Sequence, residues 1–195
     1  ASPIPSATSS FPPEVITKRV FLLNSLSILD WFNLSTDLLS PLLLVNDPAT
    51  DKKQDLALIK VNGLPKSIKP VNLGSDSKIE VGDNVYAIGH PISYPWTFSF
   101  GMVSQVRKNF EWDYDENFTH SANVIQMQTP ISTGNSGGPL FNMNGDVIGI
   151  NTAILGQSGS IGIGFAIPSN SAQKVIEQLI EFGETKRGWL GVRIQ

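Results

Sequence analysis

The sequence predicts an all-β fold, an antiparallel barrel or sandwich with one closing C-terminal helix, and three observations predict it. Short apolar segments recur between Gly and Pro residues from about residue 55 to residue 168. One late segment changes to a helical spacing. At 195 residues, 41% hydrophobic and 16% charged, the chain has ordinary globular composition and can bury a core as one large or two small domains.

The elements follow in chain order. Residues 1–12, rich in Ser, Pro and Ala, read as a mobile tail with little to bury. Residues 20–45 are Leu- and Ser-rich without a clean period of two or 3.6, so strand and helix compete there. In DPATDKKQDLALIKV a turn-like polar cluster gives way to Leu56, Leu58, Ile59 and Val61, a short strand closed by Asn62-Gly63. GLPKSIKPVNLGSDSK, dense in Pro, Gly and Ser, is the best boundary between two subdomains. The strands expected after it are NVYAIGH, TFSFGMVSQVRK, ANVIQMQT, GPLFN, DVIGINTAI and IGFAIP. The polar run WDYDENFTH between two of them reads as exposed. In PSNSAQKVIEQLIEFGE, Ala172, Val175, Ile176, Leu179 and Ile180 share one helical face, with Ser169 or Ser171 to cap the start and Gly183 to end it.

Composition also narrows the function. A net charge of −3 and a pI near 5.3 give no electrostatic reason to expect nucleic acid or an anionic membrane as partner. The stretch FLLNSLSILDWFNLSTDLLSPLLLV is interrupted by Asp30, Asp37 and Pro41, so no membrane span is expected. The opening ASPIPSATSS has no basic segment leading into an apolar one, so no leader is expected in these residues. Without cysteine there is no disulfide, thiolate metal site or cysteine nucleophile. With only His90 and His120, a histidine-rich metal site is not expected, and neither metal nor cofactor is assigned.

The chemistry centres on TGNSGGP, where Ser136 stands among Gly134, Gly137 and Gly138. A serine hydroxyl needs a base to take its proton and donors to stabilise the oxyanion that forms. Glycines around it admit a substrate closely and allow backbone conformations in which amides converge. The same five residues also fit a glycine-rich hairpin turn with an incidental serine.

TGNSGGPLFNMNGDVIGINTAI, with GFAIPS, VGDNVYAIGHP and DLALIKV, resembles the HtrA/Do (Deg) family of trypsin-like serine proteases over roughly residues 45–195. The resemblance implies a chymotrypsin-like double antiparallel β-barrel: residues 1–62 as an atypical N-terminal barrel, 63–183 as the C-terminal barrel with its helix, and 184–195 as a linker and the first residues of a truncated PDZ domain, on KRGWLGVRIQ. It implies Ser136 as nucleophile, Asp55 as the carboxylate that orients the catalytic histidine, and the amides of Gly134 and Ser136, with Asn135 between them, as the oxyanion hole. Gly149, Ile150, Asn151, Thr152, Ala153 and Ile154 become the edge that pairs with substrate and lines the specificity pocket. An extended substrate held by main-chain hydrogen bonds suits a protease of unfolded or misfolded polypeptides. The family also implies a periplasmic setting, protein quality control and a homotrimer.

One member is missing. In the family the histidine precedes the DLAL aspartate by about thirty residues, and here that interval, KRVFLLNSLSILDWFNLSTDLLSPLLLV, contains none. His90, in AIGHP, and His120 read as loop or surface residues rather than substitutes, although a triad is defined by geometry and not chain order. Two accounts of residues 1–45 compete, a divergent pseudoenzyme and a disrupted sequence joined to an intact protease half. Two functions follow: a serine endopeptidase domain with impaired turnover, and a non-catalytic, chaperone-like binder of polypeptides. A third account, that the first half specifies no stable barrel, rests on its unpatterned Leu-rich stretch.

Overall fold

The computed structural model describes residues 20–23, 45–61, 70–89, 91, 97–115, 118–154 and 162–188. The tail at residues 1–12, His90 and the Trp189–Val192 segment lie outside the described residues. Nine strands and one helix run in the order β1 (Val20–Leu23), β2 (Val45–Asp51), β3 (Leu56–Val61), β4 (Asn84–Gly89), β5 (Thr97–Asp115), β6 (Phe118–Met127), β7 (Pro139–Phe141), β8 (Val147–Ile154), β9 (Gly164–Pro168) and α1 (Ser169–Phe182), counted among the described residues. The fold is all-β with a closed six-stranded barrel and one C-terminal helix among the described residues.

β1, β3 and β2 form an antiparallel sheet in that order. The Leu56 to Val61 strand therefore forms as the apolar run predicts. Of the polar cluster before it, residues 47–51 belong to β2, with a register shift between Asn46 and Ala49 where Pro48 interrupts the ladder, and residues 52–55 form the expected turn. Asp55, at φ 55°, closes the tight β2–β3 hairpin in the left-handed region that aspartate tolerates better than most residues.

β4 to β9 close into a six-stranded barrel in the order β4-β5-β6-β9-β8-β7, shut by Tyr86 opposite Phe141 and Ala87 opposite Leu140. Closure gives each of the six strands a neighbour on both sides over part of its length. Val85, Ala87, Val103, Ile125, Met127, Leu140, Ile148 and Ala166 fill its interior. Period-two alternation places these residues inside while Tyr86 stacks outside on Phe98 and Phe141.

The WDYDENFTH run is exposed at Asp113, Phe118 and Thr119, as read, but buries His120 and is strand over its described residues. β5 and β6 continue through it as a paired ribbon, with Glu111 opposite Ser121 and Trp112 opposite His120. Phe110 and Trp112 alternate with exposed Glu111 and Asp113, and Phe110 stacks on buried Phe165 with ring centroids 4.5 Å apart. The F-E-W-D alternation was a strand signal outweighed by its acidic residues.

Ala172, Val175 and Leu179 of α1 pack on Phe141, Val147, Ile150 and Ile167 of the barrel and on Leu56 of β3. Val175 and Leu179, fully buried, each contribute about 1.5–3 kcal/mol. On the flank of the stripe Ile176 is buried, whereas Ile180, one turn on, stays 41% exposed. Gly183 ends the helix at φ 73°, donating its amide to the Leu179 carbonyl at 3.0 Å. Neither serine caps the start. Pro168 is the cap residue, and the Ser169 hydroxyl donates instead to the Gly74 carbonyl at 2.6 Å. The Asp76 carboxylate, from the segment ahead of β4, lies near the Asn170 amide at the start of the helix.

Candidate active site

Ser136 lies on a double turn ahead of β7. The Asn135 amide donates to the Ser132 carbonyl at 2.9 Å, and the Gly138 amide donates to the Asn135 carbonyl at 3.0 Å. Gly134 and Gly137 take φ values of 99° and 80°, a region costly for residues with a Cβ. At Gly138 a Cβ would come within 2.9 Å of the Asn135 carbonyl oxygen and 3.2 Å of the Ile88 carbonyl oxygen. The glycines of GNSGG are thus required by the backbone path. The amides of Gly134 and Ser136 donate to no backbone carbonyl among the described residues.

The Asn135 side chain is 1% exposed, and its Nδ2 and Oδ1 have no hydrogen-bond partner among the described residues. It lies against Gly89 of β4, which fixes the turn from behind.

β8 holds the turn from the other side. Gly137 donates to the Asn151 carbonyl at 2.7 Å, and Asn151 donates back to the Gly138 carbonyl at 2.9 Å. Of the residues assigned to substrate, Gly149 and Ile150 are paired on both sides, with β7 and with β9. From Thr152 to Ile154 the strand pairs with β9 alone among the described residues. A bulge between Asn151 and Ala153 falls at Thr152.

Thr152 joins the two residues singled out for chemistry. Its carbonyl accepts the Ser136 hydroxyl in a long bond of 3.4 Å, and its own Oγ1 donates to Asp55 Oδ2 at 2.6 Å. Asp55 is fully buried. The hairpin that carries it is pinned at several points. The Ser121 amide donates to the Lys53 carbonyl at 2.8 Å, and Asp51 is buried against the Arg187 guanidinium and both nitrogens of Gln54. Nothing local in the sequence pointed to Thr152 as the partner of Asp55, since the two are 97 residues apart.

His120 differs from its reading as a surface residue. It is 6% exposed, stacked on Trp112 at 5.4 Å and edge-on to Phe118 at 5.0 Å, with Nδ1 2.8 Å from the Lys52 carbonyl oxygen. A carbonyl only accepts, so Nδ1 is the donor of this bond and the ring is held by the Asp55 hairpin. The sequence offered aromatic neighbours on both sides of the ribbon as the signal, but their register was not readable.

Comparison with known proteins places this geometry. Residues 40–150 match the model of the trypsin-like peptidase domain family. The chain is 44% identical over 147 residues to a "Probable periplasmic serine endoprotease DegP-like" of Brucella suis, covering 74% of this chain and 27% of the relative. It is 43% identical over 146 residues to "Periplasmic pH-dependent serine endoprotease DegQ" of Escherichia coli, covering 74% and 30%. Among solved structures, "HtrA-type protease AlgW with decapeptide" superimposes with a TM-score of 0.70 at 30% identity, over 91% of this chain and 53% of the other. The tripeptide-bound form gives 0.72 at 32% identity, over 91% and 57%. The chain spans less than a third of the length of these curated relatives. No helix among the described residues is long and apolar enough to cross a membrane. The chain belongs to the trypsin-like peptidase domain family and, within it, to the HtrA/Deg serine proteases.

Proposed function

We propose that this chain is the peptidase domain of a periplasmic quality-control protease that takes unfolded polypeptide in extended form, and that its turnover is crippled for want of a base. Ser136 is the nucleophile, Asp55 the orienting carboxylate, and the Gly134 and Ser136 amides the oxyanion donors. The observation that carries the reading is Thr152, which touches both Ser136 and Asp55 across two halves of the fold. In acyl transfer Ser136 Oγ would attack the scissile carbonyl, its proton would pass to a base, and the two amides would stabilise the oxyanion before the amine leaves and water releases the acyl group. The one-sided edge from Thr152 to Ile154 is the ladder on which an extended substrate would pair.

The family position for the base is empty of histidine, because the chain has only His90 and His120 and both follow Asp55. Loss of a triad member lowers turnover by about four to six powers of ten. That loss favours a second reading, a chaperone-like pseudoprotease that keeps the cleft without the chemistry. The relatives named as periplasmic support the location, and the resemblance of residues 184–195 to a PDZ junction supports a longer parent; a homotrimer rests on the family resemblance alone, and the departure of the N-terminal segment counts against it.

The test is a fluorophosphonate probe and unfolded casein, each against a Ser136→Ala control. Labelling and residual hydrolysis that vanish in the control support the protease. Silence in a folded chain that slows client aggregation equally with and without Ser136 supports the pseudoprotease. Labelling undiminished in the control would overturn the assignment of Ser136.

A further inference from the structure

A cavity of about 230 Å³ lies where α1, the β2–β3 hairpin and the segment after the helix meet, away from the Ser136 turn. Three of its lining side chains are cationic, beside neutral polar groups that both donate and accept. Lys174 comes from the helix, Lys186 and Arg187 from the following segment, and Gln54 from the hairpin. Among the described residues no carboxylate lines it. Arg187 is paired with buried Asp51; Lys174 and Lys186 make no ion pair within 4 Å among the described residues, and Lys174 feels the Asp76 carboxylate at longer range. The Lys186 ammonium stands 3.7 Å over the Phe182 ring, which holds it in place without neutralising its charge. Gln178 Oε1 accepts the Lys186 amide, so the segment is tied to the helix and the cavity is preformed. A concave pocket walled by cations and lacking anions concentrates anionic ligands.

We propose that this cavity binds a small dianionic oxyanion, a phosphate or a dicarboxylate, and that binding is transmitted through the β2–β3 hairpin to Asp55. The volume is below that of a drug-sized site and suits a ligand of this size. Gln54 in the wall is adjacent in sequence to Asp55, and it holds Asp51 through its amide at 3.2 Å and its Nε2 at 3.4 Å. An anion that draws on Arg187 and Gln54 therefore changes the grip on Asp51 and moves the hairpin. Asp55 and Thr152 lie one hydrogen bond further on. The consequence for catalysis rests on the roles proposed above for Asp55 and Ser136, but binding itself does not.

The experiment is isothermal titration of the full chain with inorganic phosphate and, separately, succinate, at constant ionic strength, with amide shifts recorded by NMR. Saturable one-to-one binding with a Kd of roughly 1 mM is expected, weakened about tenfold or more in Lys174→Glu/Lys186→Glu and unchanged in Lys108→Glu. Shifts at Gln54, Asp55 and Thr152 should saturate with the same Kd. Preference for phosphate or for succinate identifies which oxyanion the site takes. Unsaturable heats, or binding equal in the double variant, overturn the site and leave an adventitious ion only. Saturable binding with Asp55 and Thr152 unmoved overturns the transmission. Neither readout needs turnover, so failure here and failure of the protease reading are separate results.

Discussion

Replacing Thr152 with Val keeps the shape of the side chain and deletes one donor. The hydroxyl it removes is 2.6 Å from Asp55 Oδ2, and Asp55 has no exposed surface on which water could take its place. A hydrogen bond to a buried charged group contributes about 1.5–3 kcal/mol, so Thr152→Val should lower unfolding stability by that amount. For a chain of this size each kcal/mol moves the melting temperature by about 2–4 °C, which gives a fall of roughly 3–12 °C. The decisive form is a double-mutant cycle with Asp55→Asn, read by circular dichroism in urea and by thermal melts. If the bond is as drawn, the two losses couple by about 1 kcal/mol or more, since contacting groups are not additive. A loss below about 0.5 kcal/mol, or additivity within the usual few tenths, would falsify the account of Thr152 as the link between the two halves.

Other perturbations test neighbouring parts of the argument. Gly89→Ala puts a Cβ 2.8 Å from Asn135 Nδ2 and 3.2 Å from its Cα, so it should cost about 1–3 kcal/mol and slow fluorophosphonate labelling of Ser136; an unchanged labelling rate would show that Gly89 does not support the turn. Arg187→Ala strips the charge partner from Asp51, which is 1% exposed, yet leaves both Gln54 donors. Because Arg187 is itself half-exposed, the expected loss in urea unfolding is only about 1–2 kcal/mol, and a neutral effect would mean that Gln54 suffices. Burial holds the Asp76 carboxyl above its ordinary value of 3.8, partly opposed by the amides of Asp76 and Asn170 and by Lys174. A carboxyl raised in the folded state weakens folding as pH climbs from 3.8 through that raised value. Asp76→Asn should then gain stability over the wild type above this window and match it below. A difference that does not vary between pH 3 and 8 would contradict that origin.

Local pattern carried much of the second half. NVYAIGH and IGFAIP matched β4 and β9 within a residue, whereas ANVIQMQT caught only the second part of β6, which already begins at Phe118. In β4 the burial alternates, while β9 is buried at every position and reads as a short apolar run. The helix and its Gly183 stop were equally local. The first half was less clear because Val45–Asp51 combines a proline, a turn-like composition and two aspartates with a strand, and its pairing with β3 outweighs its propensity. WDYDENFTH misled in part for the opposite reason, since exposed Asp113 sits on a ribbon that also carries half-buried Trp112 and buries His120.

What the sequence determined by itself was chemical identity: a serine set among glycines that the backbone requires, an aspartate at the head of a strand, and a chain in which no histidine precedes that aspartate. Those are properties of residue type and order, and folding does not alter them. Tertiary structure decided which groups meet. Asp55 and Thr152 are 97 residues apart, Arg187 and Asp51 are 136 apart, and His120 reaches the Lys52 carbonyl over 68. Each contact depends on the register in which the β2–β3 hairpin docks on the barrel, and that register is set by the joint packing of Leu56 with α1 and β7–β9, a sum over distant side chains that no local pattern records.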